Sequence, residues 1–320
     1  MLGYWDFFPS DVNAETWGRV PAMGWAEVVE SRVAGLEVGT RYYGWYPMAR
    51  TVDMTATPTA DGFRDDGAHR EAHAPVYRSY VATGADPFYS EVDDAEDRHA
   101  LLRGLFLTGF LADEFFADAG GSGGASYFGA ERVIVLSASS KTAVGFAQRA
   151  SERGNVQVVG VTSTGNVEFV RSLGYYDTVI TYDEIDALEV GPDTVSIDMA
   201  GNPAVLGAVH RRVGDRLMYS MTVGRSHHDA PAVEPDGALP GPAPQLFFAP
   251  TEVTRRLDEW GGADYGRKTA AALAEFVEGS RSWMRVEHRN GPDGVKSAWA
   301  DVHSGSISPD VGIVASFFEL

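Results

Sequence analysis

The sequence predicts an α/β protein in which a doubly wound parallel sheet is joined to a β-rich unit. Between about residues 131 and 226, short and nearly continuous apolar runs alternate with amphipathic segments. That is the pattern of strands buried on both faces and covered by helices. Residues 1–90 instead hold short aromatic and β-branched runs separated by Gly and Pro turns, as half-exposed strands do. A length of 320 residues suits two domains, and 44% hydrophobic with 22% charged residues allows a sizeable core and excludes wholesale disorder.

In the first part, Glu27–Glu30, Arg41–Gly44 and Val76–Tyr80 are strand candidates. From Ala95 to Ala119, Leu101, Leu102, Leu105, Phe106, Phe110, Leu111 and Phe115 recur at helical spacing, in one long or two short helices. A Gly/Ser loop, 120–124, precedes the ladder: strand Val133–Leu136, helix Thr142–Arg153 ended by Gly154, strand Val156–Val161, helix Asn166–Leu173 stopped by Gly174, strands Thr178–Ile180 and Thr194–Asp198, helix Pro203–Val213, and strand Leu217–Val223. Ala230–Pro244 holds five prolines and is a loop. Helices at Pro250–Trp260, Ala263–Trp283 and Val295–Val302 and a last strand at Gly312–Phe317 complete the chain.

Composition removes several functions. Lys plus Arg is 26 against 45 Asp plus Glu, a net charge of −19, which argues against nucleic acid or an anionic membrane surface as partner. The absence of Cys removes disulfides, thiolate nucleophiles and Cys-ligated metal sites. No apolar stretch reaches the roughly 18 residues of a membrane span, and the N-terminus lacks the pattern of a secretory signal, so a cytoplasmic protein is expected. Only three lysines occur, at 141, 268 and 296, which singles out Lys141.

In a doubly wound sheet, ligands sit beyond the carboxyl ends of the strands, and the first strand–turn–helix connection cradles phosphate. Here that connection is Leu136-Ser137-Ala138-Ser139-Ser140-Lys141-Thr142-Ala143-Val144-Gly145. The G-x-G-x-x-G spacing is absent; only Gly145 survives, and Ser and Ala stand where Gly would permit positive φ. Ser137, Ser139, Ser140, Lys141, Thr142 and Gly145 are therefore the candidate diphosphate residues, with a plain tight turn as the alternative. The second strand ends at Thr162-Ser163-Thr164 with no carboxylate to hold a ribose diol, which leaves room for a 2′-phosphate and favours NADP(H) over NAD(H). Helix capping is the alternative role of Ser163 and Thr164.

Several segments resemble the medium-chain dehydrogenase/reductase superfamily. They are Pro21–Glu30 followed by Val38–Gly44, Thr108–Ala112, Phe169–Gly174, and Val295–Gly305 followed by Asp310–Val314. The Tyr4-Trp5-Asp6-Phe7-Phe8-Pro9 start and the Ser139-Ser140-Lys141-Thr142-Ala143 turn resemble a bacterial branch catalogued as a domain of unknown function. The resemblance covers essentially the whole chain. It implies a Rossmann-type domain at 106–245 and a GroES-like domain at 1–105 and 246–320, the latter short of the strands that usually precede Leu2–Pro9. Such trimming would leave an edge to cover. Trp25-Ala26 replaces the His-Glu pair of zinc-dependent members. With no Cys present, a zinc-independent reductase is implied, one that passes hydride from NADPH to an enone, quinone or enoyl-type acceptor, with no metal ligands among the site residues.

On that reading Tyr4 and Asp6 are substrate-side candidates, Tyr4 as proton donor, with interface packing as the alternative. Thr222, Gly224 and Arg225 would border the nicotinamide, and His227 is a candidate acid; a solvated loop is the alternative for His227 and His228. A homodimer is expected from the superfamily. Two other functions stay open: a lyase or hydrolase that has lost the dinucleotide, and a non-catalytic NADPH-binding protein.

Overall fold

A computed structural model describes residues 4–10, 17–224 and 239–319. It forms two compact units, one holding the residues up to Arg103 together with those from Ala270 onward, the other Gly104–Thr269.

The first unit contains a five-stranded antiparallel sheet: β1 (Pro21–Glu27), β2 (Arg41–Pro47), β3 (Ala56–Pro58), β4 (Gly62–Asp65) and β5 (Ser79–Ala82), in the order β1-β2-β5-β4-β3. Its core gathers Leu36, Tyr42, Phe63 and Tyr80. Tyr80 stacks on Phe63 at 4.5 Å and donates its hydroxyl to the Trp45 carbonyl at 2.6 Å. A Cβ at Gly44 would lie 2.2 Å from the Tyr80 ring, so only Gly fits there. The first strand precedes the expected Glu27–Glu30. The expected Val76–Tyr80 strand is broken because Pro75 opens a 3₁₀ turn, Pro75–Tyr77, and the ladder starts only at Ser79.

Helix α1 (Ala95–Ala117) is a single continuous helix and crosses the division between the units. The second unit then builds a six-stranded sheet from β6 (Arg132–Leu136), β7 (Gln157–Thr162), β8 (Thr178–Thr181), β9 (Thr194–Asp198), β10 (Leu217–Thr222) and β11 (Gln245–Leu246). The order is β11-β10-β9-β6-β7-β8, parallel throughout. Helix α2 (Lys141–Arg153) joins β6 to β7, α3 (Val167–Ser172) joins β7 to β8, and α4 (Pro203–Val213) joins β9 to β10. The chain leaves β6 in one direction and β9 in the other, so right-handed crossovers put α2 and α4 on opposite faces. Ile134, Leu136, Val159 and Val161 pack with Leu206, Val209 and Val213 of α4 on one face.

That core also contains a polar chain. Ser196 on β9 donates to Ser220 on β10 at 3.3 Å, and the Ser220 hydroxyl meets His210 Nε2 at 2.8 Å. His210 Nδ1 lies 2.9 Å from the Pro240 carbonyl, so it carries the proton. All three side chains are fully buried, and their mutual hydrogen bonds offset the desolvation.

Helices α5 (Ala249–Trp260) and α6 (Gly262–Ser280) follow, and α6 crosses back into the first unit. There β12 (Arg285–Asn290), α7 (Gly291–Ser304) and β13 (Val311–Ser316) form a small parallel βαβ unit. The charged strand β12 carries no apolar run that could announce it. Among the described residues, no helix is long and apolar enough to cross a membrane.

Two expectations concern stability. A Cβ at Gly109 of α1 would lie 2.7 Å from the Phe146 nitrogen and the Thr142 carbonyl of α2, and 3.3 Å from the Gly145 carbonyl carbon. Those are backbone atoms that cannot rotate away, so Gly109→Ala should cost about 1–3 kcal/mol in a denaturant melt despite its better helix propensity. His99 is 5% exposed. Burial, followed by the charge of Arg103, pushes its imidazole down to about 4. Arg103 is itself stacked 4.3 Å from the Tyr43 and Phe88 rings and paired with Asp86 at 2.6 Å. Below pH 6.5 the unfolded chain protonates this His and the folded chain does not. Stability present at pH 7 should therefore fall as the pH drops towards 4, with His99 accounting for roughly 2 kcal/mol between pH 7 and 5. Denaturant melts at both pH values should show a shallower loss in His99→Leu.

Candidate functional site

The order of the strands puts the topological switch point between β6 and β9, where Leu136 lies opposite Asp198. The turn out of β6 has to enter α2 at this point within four residues. Ser137 achieves this with φ +57, the left-handed region normally left to Gly. Two backbone bonds hold the turn, from Ala138 N–H to the Val161 carbonyl (3.1 Å) and from Ser140 N–H to the Ser137 carbonyl (2.9 Å). Ser140 is the N-cap of α2, and its hydroxyl accepts from Ala143 N–H at 3.3 Å. Lys141 and Thr142 open the helix, whose first turn has N–H groups without partners inside the helix. Gly145 is buried in α2, where Gly109 of α1 packs against the helix backbone.

The Ser139 hydroxyl accepts from Asn166 Nδ2 at 3.0 Å and from Thr162 Oγ1 at 3.4 Å. A hydroxyl that accepts twice still has one proton to give. These residues fit a diphosphate: the backbone bends as a Gly-rich loop does, and the small hydroxyl side chains donate where Gly would offer only backbone. The Ala138 carbonyl accepts from Tyr176 at 2.8 Å, and a Cβ at Gly160 would strike that ring at 2.8 Å, so this Gly lets Tyr176 brace the turn from below.

At the end of β7, Thr162 is buried and directed to Ser139. Ser163 precedes the 3₁₀ turn Thr164–Asn166 without using its side chain as a cap, and Thr164 is exposed. At the end of β10, the Thr222 hydroxyl donates to the Gln245 carbonyl at 3.3 Å. A Cβ at Gly224 would meet the Met199 carbonyl at 2.6 Å, so its backbone lies directly on the turn after β9. Asp198 orders that turn by accepting from Ala200 N–H and Gly201 N–H, both at 3.0 Å. Arg225, His227 and His228 lie outside the described residues.

Tyr4 and Asp6 belong to the first unit. Tyr4 stacks on Trp45 at 5.6 Å and meets Phe7 and Tyr77 edge-on. Its hydroxyl donates to that of Tyr77 at 3.3 Å, which leaves the Tyr77 proton uncommitted within the pair; burial raises the Tyr77 phenol well above its usual range. Asp6 is exposed on the same 3₁₀ turn. The structure thus brings Ser137, Ser139, Ser140 and Thr162 together. In the same unit it adds two residues the sequence did not single out, Asn166 and Tyr182, whose hydroxyl lies 3.4 Å from Ser137 Oγ. Only the position of Tyr182, directly after β8, could have drawn attention to it.

A Rossmann-type parallel sheet with its switch point at a phosphate-type turn, in one chain with a GroES-like antiparallel sheet, is the architecture of the medium-chain dehydrogenase/reductase fold. Within that class the chain belongs to the family DUF2855, described as a protein of unknown function, whose model matches residues 1–308. Among solved structures, CurA from Vibrio vulnificus in complex with NADPH is similar at TM-score 0.59 and 13% identity, over 95% of this chain and 81% of that one. An NADPH:quinone reductase candidate from Mesorhizobium loti is similar at TM-score 0.58 and 14% identity, over 93% and 78%. At such identities the likeness is one of fold. No curated protein matches the sequence.

The left-handed Ser137 gives a direct test. Ser137→Gly should stabilise the protein by about 0.5–1 kcal/mol, and Ser137→Val should destabilise it by about 1–2 kcal/mol, both read from denaturant midpoints.

Proposed function

We propose that this chain is an NADP(H)-dependent, zinc-independent oxidoreductase that reduces an activated C=C or carbonyl of a small molecule of the enone, quinone or enoyl type. The observation that carries this reading is the turn at the switch point: Ser137 bent as a glycine would be, Ser140 capping α2, and Ser139 with a proton to give. The fold shared with NADPH-bound CurA supports it. When bound, the dinucleotide would supply the hydride. The residues from Ser137 to Gly145 would hold the diphosphate, Ser163 and Thr164 the adenosine ribose, and Thr222 and Gly224 would border the nicotinamide. Tyr4 would serve the acceptor's proton through Tyr77: Tyr77 would give up its free hydroxyl hydrogen and take that of Tyr4 in its place, leaving Tyr4 to be reprotonated from solvent. We also propose that two copies pair through β11, an edge of the six-stranded sheet among the described residues, where Leu246 is 72% exposed.

A ligand that binds only the folded state stabilises it, by about 2.7 kcal/mol at a hundredfold excess over Kd. Millimolar NADPH should therefore raise the melting temperature by several degrees, and a panel of enones, quinones and enoyl thioesters should contain an acceptor that consumes NADPH absorbance. Absence of any shift, or turnover of a substrate without dinucleotide, would overturn the reading. A shift with no oxidation across the panel would leave a binding protein rather than an enzyme.

A further inference from the structure

Adenosine-ribose discrimination in a Rossmann-type site comes from charge at the end of the second strand: a carboxylate for the diol, a cation for the 2′-phosphate. Here that end is β7, running through Thr162, Ser163, Thr164, Gly165 and Asn166 to Val167, and it holds neither. Asn166, the longest polar side chain of the turn, gives one amide hydrogen to Ser139 at 3.0 Å and has a second amide hydrogen and its carbonyl oxygen besides. Thr162 is turned inward to the same Ser139. The adjacent strand end adds no cation. Thr181 pairs in register with Thr162, and its backbone N–H and hydroxyl are both given to Glu184, at 2.8 and 3.1 Å. Those two bonds, and after them Arg171, hold the Glu184 carboxyl below its usual range. Arg171, the cation of the following helix, is also bound to Glu168 at 3.1 Å, so its single charge answers two carboxylates. A 2′-phosphate of nearly two negative charges would meet hydroxyls, an amide and a locally negative surround on a chain of net charge −19.

Resting on the reductase reading, and widening its NADP(H) dependence to both dinucleotides, we infer that this site accepts the 2′-phosphate without selecting it: NADPH and NADH bind with affinities within about tenfold of each other, and Asn166 and Ser163 are the positions that set the ratio. Hydroxyls and amides bind a ribose diol through neutral hydrogen bonds and a phosphate through stronger bonds to an ionised acceptor, and the cost of desolvating that phosphate offsets the difference. Neither cofactor then meets an opposite charge at this strand end, the contact that would separate them by a hundredfold.

Calorimetric titration of the full chain with NADPH and with NADH tests this. Wild type should give a Kd ratio between one tenth and ten. Asn166→Lys places an ammonium at the turn and should move the ratio at least tenfold towards NADPH; Ser163→Asp should move it at least tenfold towards NADH. Apo melts of both variants establish that they are folded. A wild-type ratio outside the tenfold window overturns the inference and leaves the reductase reading standing. Variants that fold and bind with an unchanged ratio also overturn it, since the ribose then lies elsewhere. Failure of both dinucleotides to bind wild type overturns the inference and the reductase reading together.

Discussion

The second unit depends on one backbone event, the reversal of the chain from the central strand β6 into α2. Strands β7 and β9 flank β6 on both sides, so the turn has no lateral freedom and must rise out of the sheet at once. Ser137 meets that demand in a conformation costing an L-residue roughly 1–2 kcal/mol. The cost is offset locally, by the bonds from Ala138 N–H to Val161 and from Ser140 N–H to Ser137, and by the cap at Ser140. A glycine would have made the same bend without strain but without a hydroxyl. The loop therefore exchanges conformational ease for side-chain donors at the switch point of the sheet.

The charge distribution explains why hydroxyls carry that role. The chain has 26 Lys and Arg against 45 acids, and many of its guanidinium groups are committed to structure. Arg70 is fully buried against Phe7 and Phe8 and donates to the Phe7 and Tyr77 carbonyls. Arg98 ties α1 to Ser280 and the Met284 carbonyl, Arg153 joins Asp113 and Glu114, and Arg256 joins Glu252 and the Glu114 carbonyl. Arg132 spans Thr194 and the Glu189 carbonyl at the opposite end of the sheet from the turn. A planar fork with five donors suits such multi-carbonyl fastening better than an ammonium does, which fits a chain with only three lysines. With so many guanidinium groups so engaged, the ends of β6 and β7 present hydroxyl and amide groups beside Lys141.

The parallel ladder was legible because its strands, buried on both faces, leave apolar runs such as Val133–Leu136 that no exposed segment tolerates. The antiparallel unit was legible as a class and not in its boundaries: β3 and β4 are short and half-exposed, β12 is charged, and Pro75 displaced a strand that composition alone would have drawn. The site divides in the same way. The turn could be located from its place after the first buried strand, and Ser137 to Gly145 lie there. Its wiring could not, because the bonds from Asn166 to Ser139, Tyr182 to Ser137 and Tyr4 to Tyr77 join positions 27, 45 and 73 residues apart. Local periodicity carries no signal at such separations.

That wiring makes Ser139 the link between two strand ends. It stands in the turn after β6, and its oxygen accepts from Asn166 and Thr162 at the end of β7. Were the proposed dinucleotide to lie there, a group that drew either donor away would leave the Ser139 oxygen less polarised, and a group that took the Ser139 proton would strengthen the bonds from both donors. Such an influence would be equal in both directions, as any coupling between two equilibria must be. Glycines at these positions would offer no side-chain bond through which the two strand ends could act on each other.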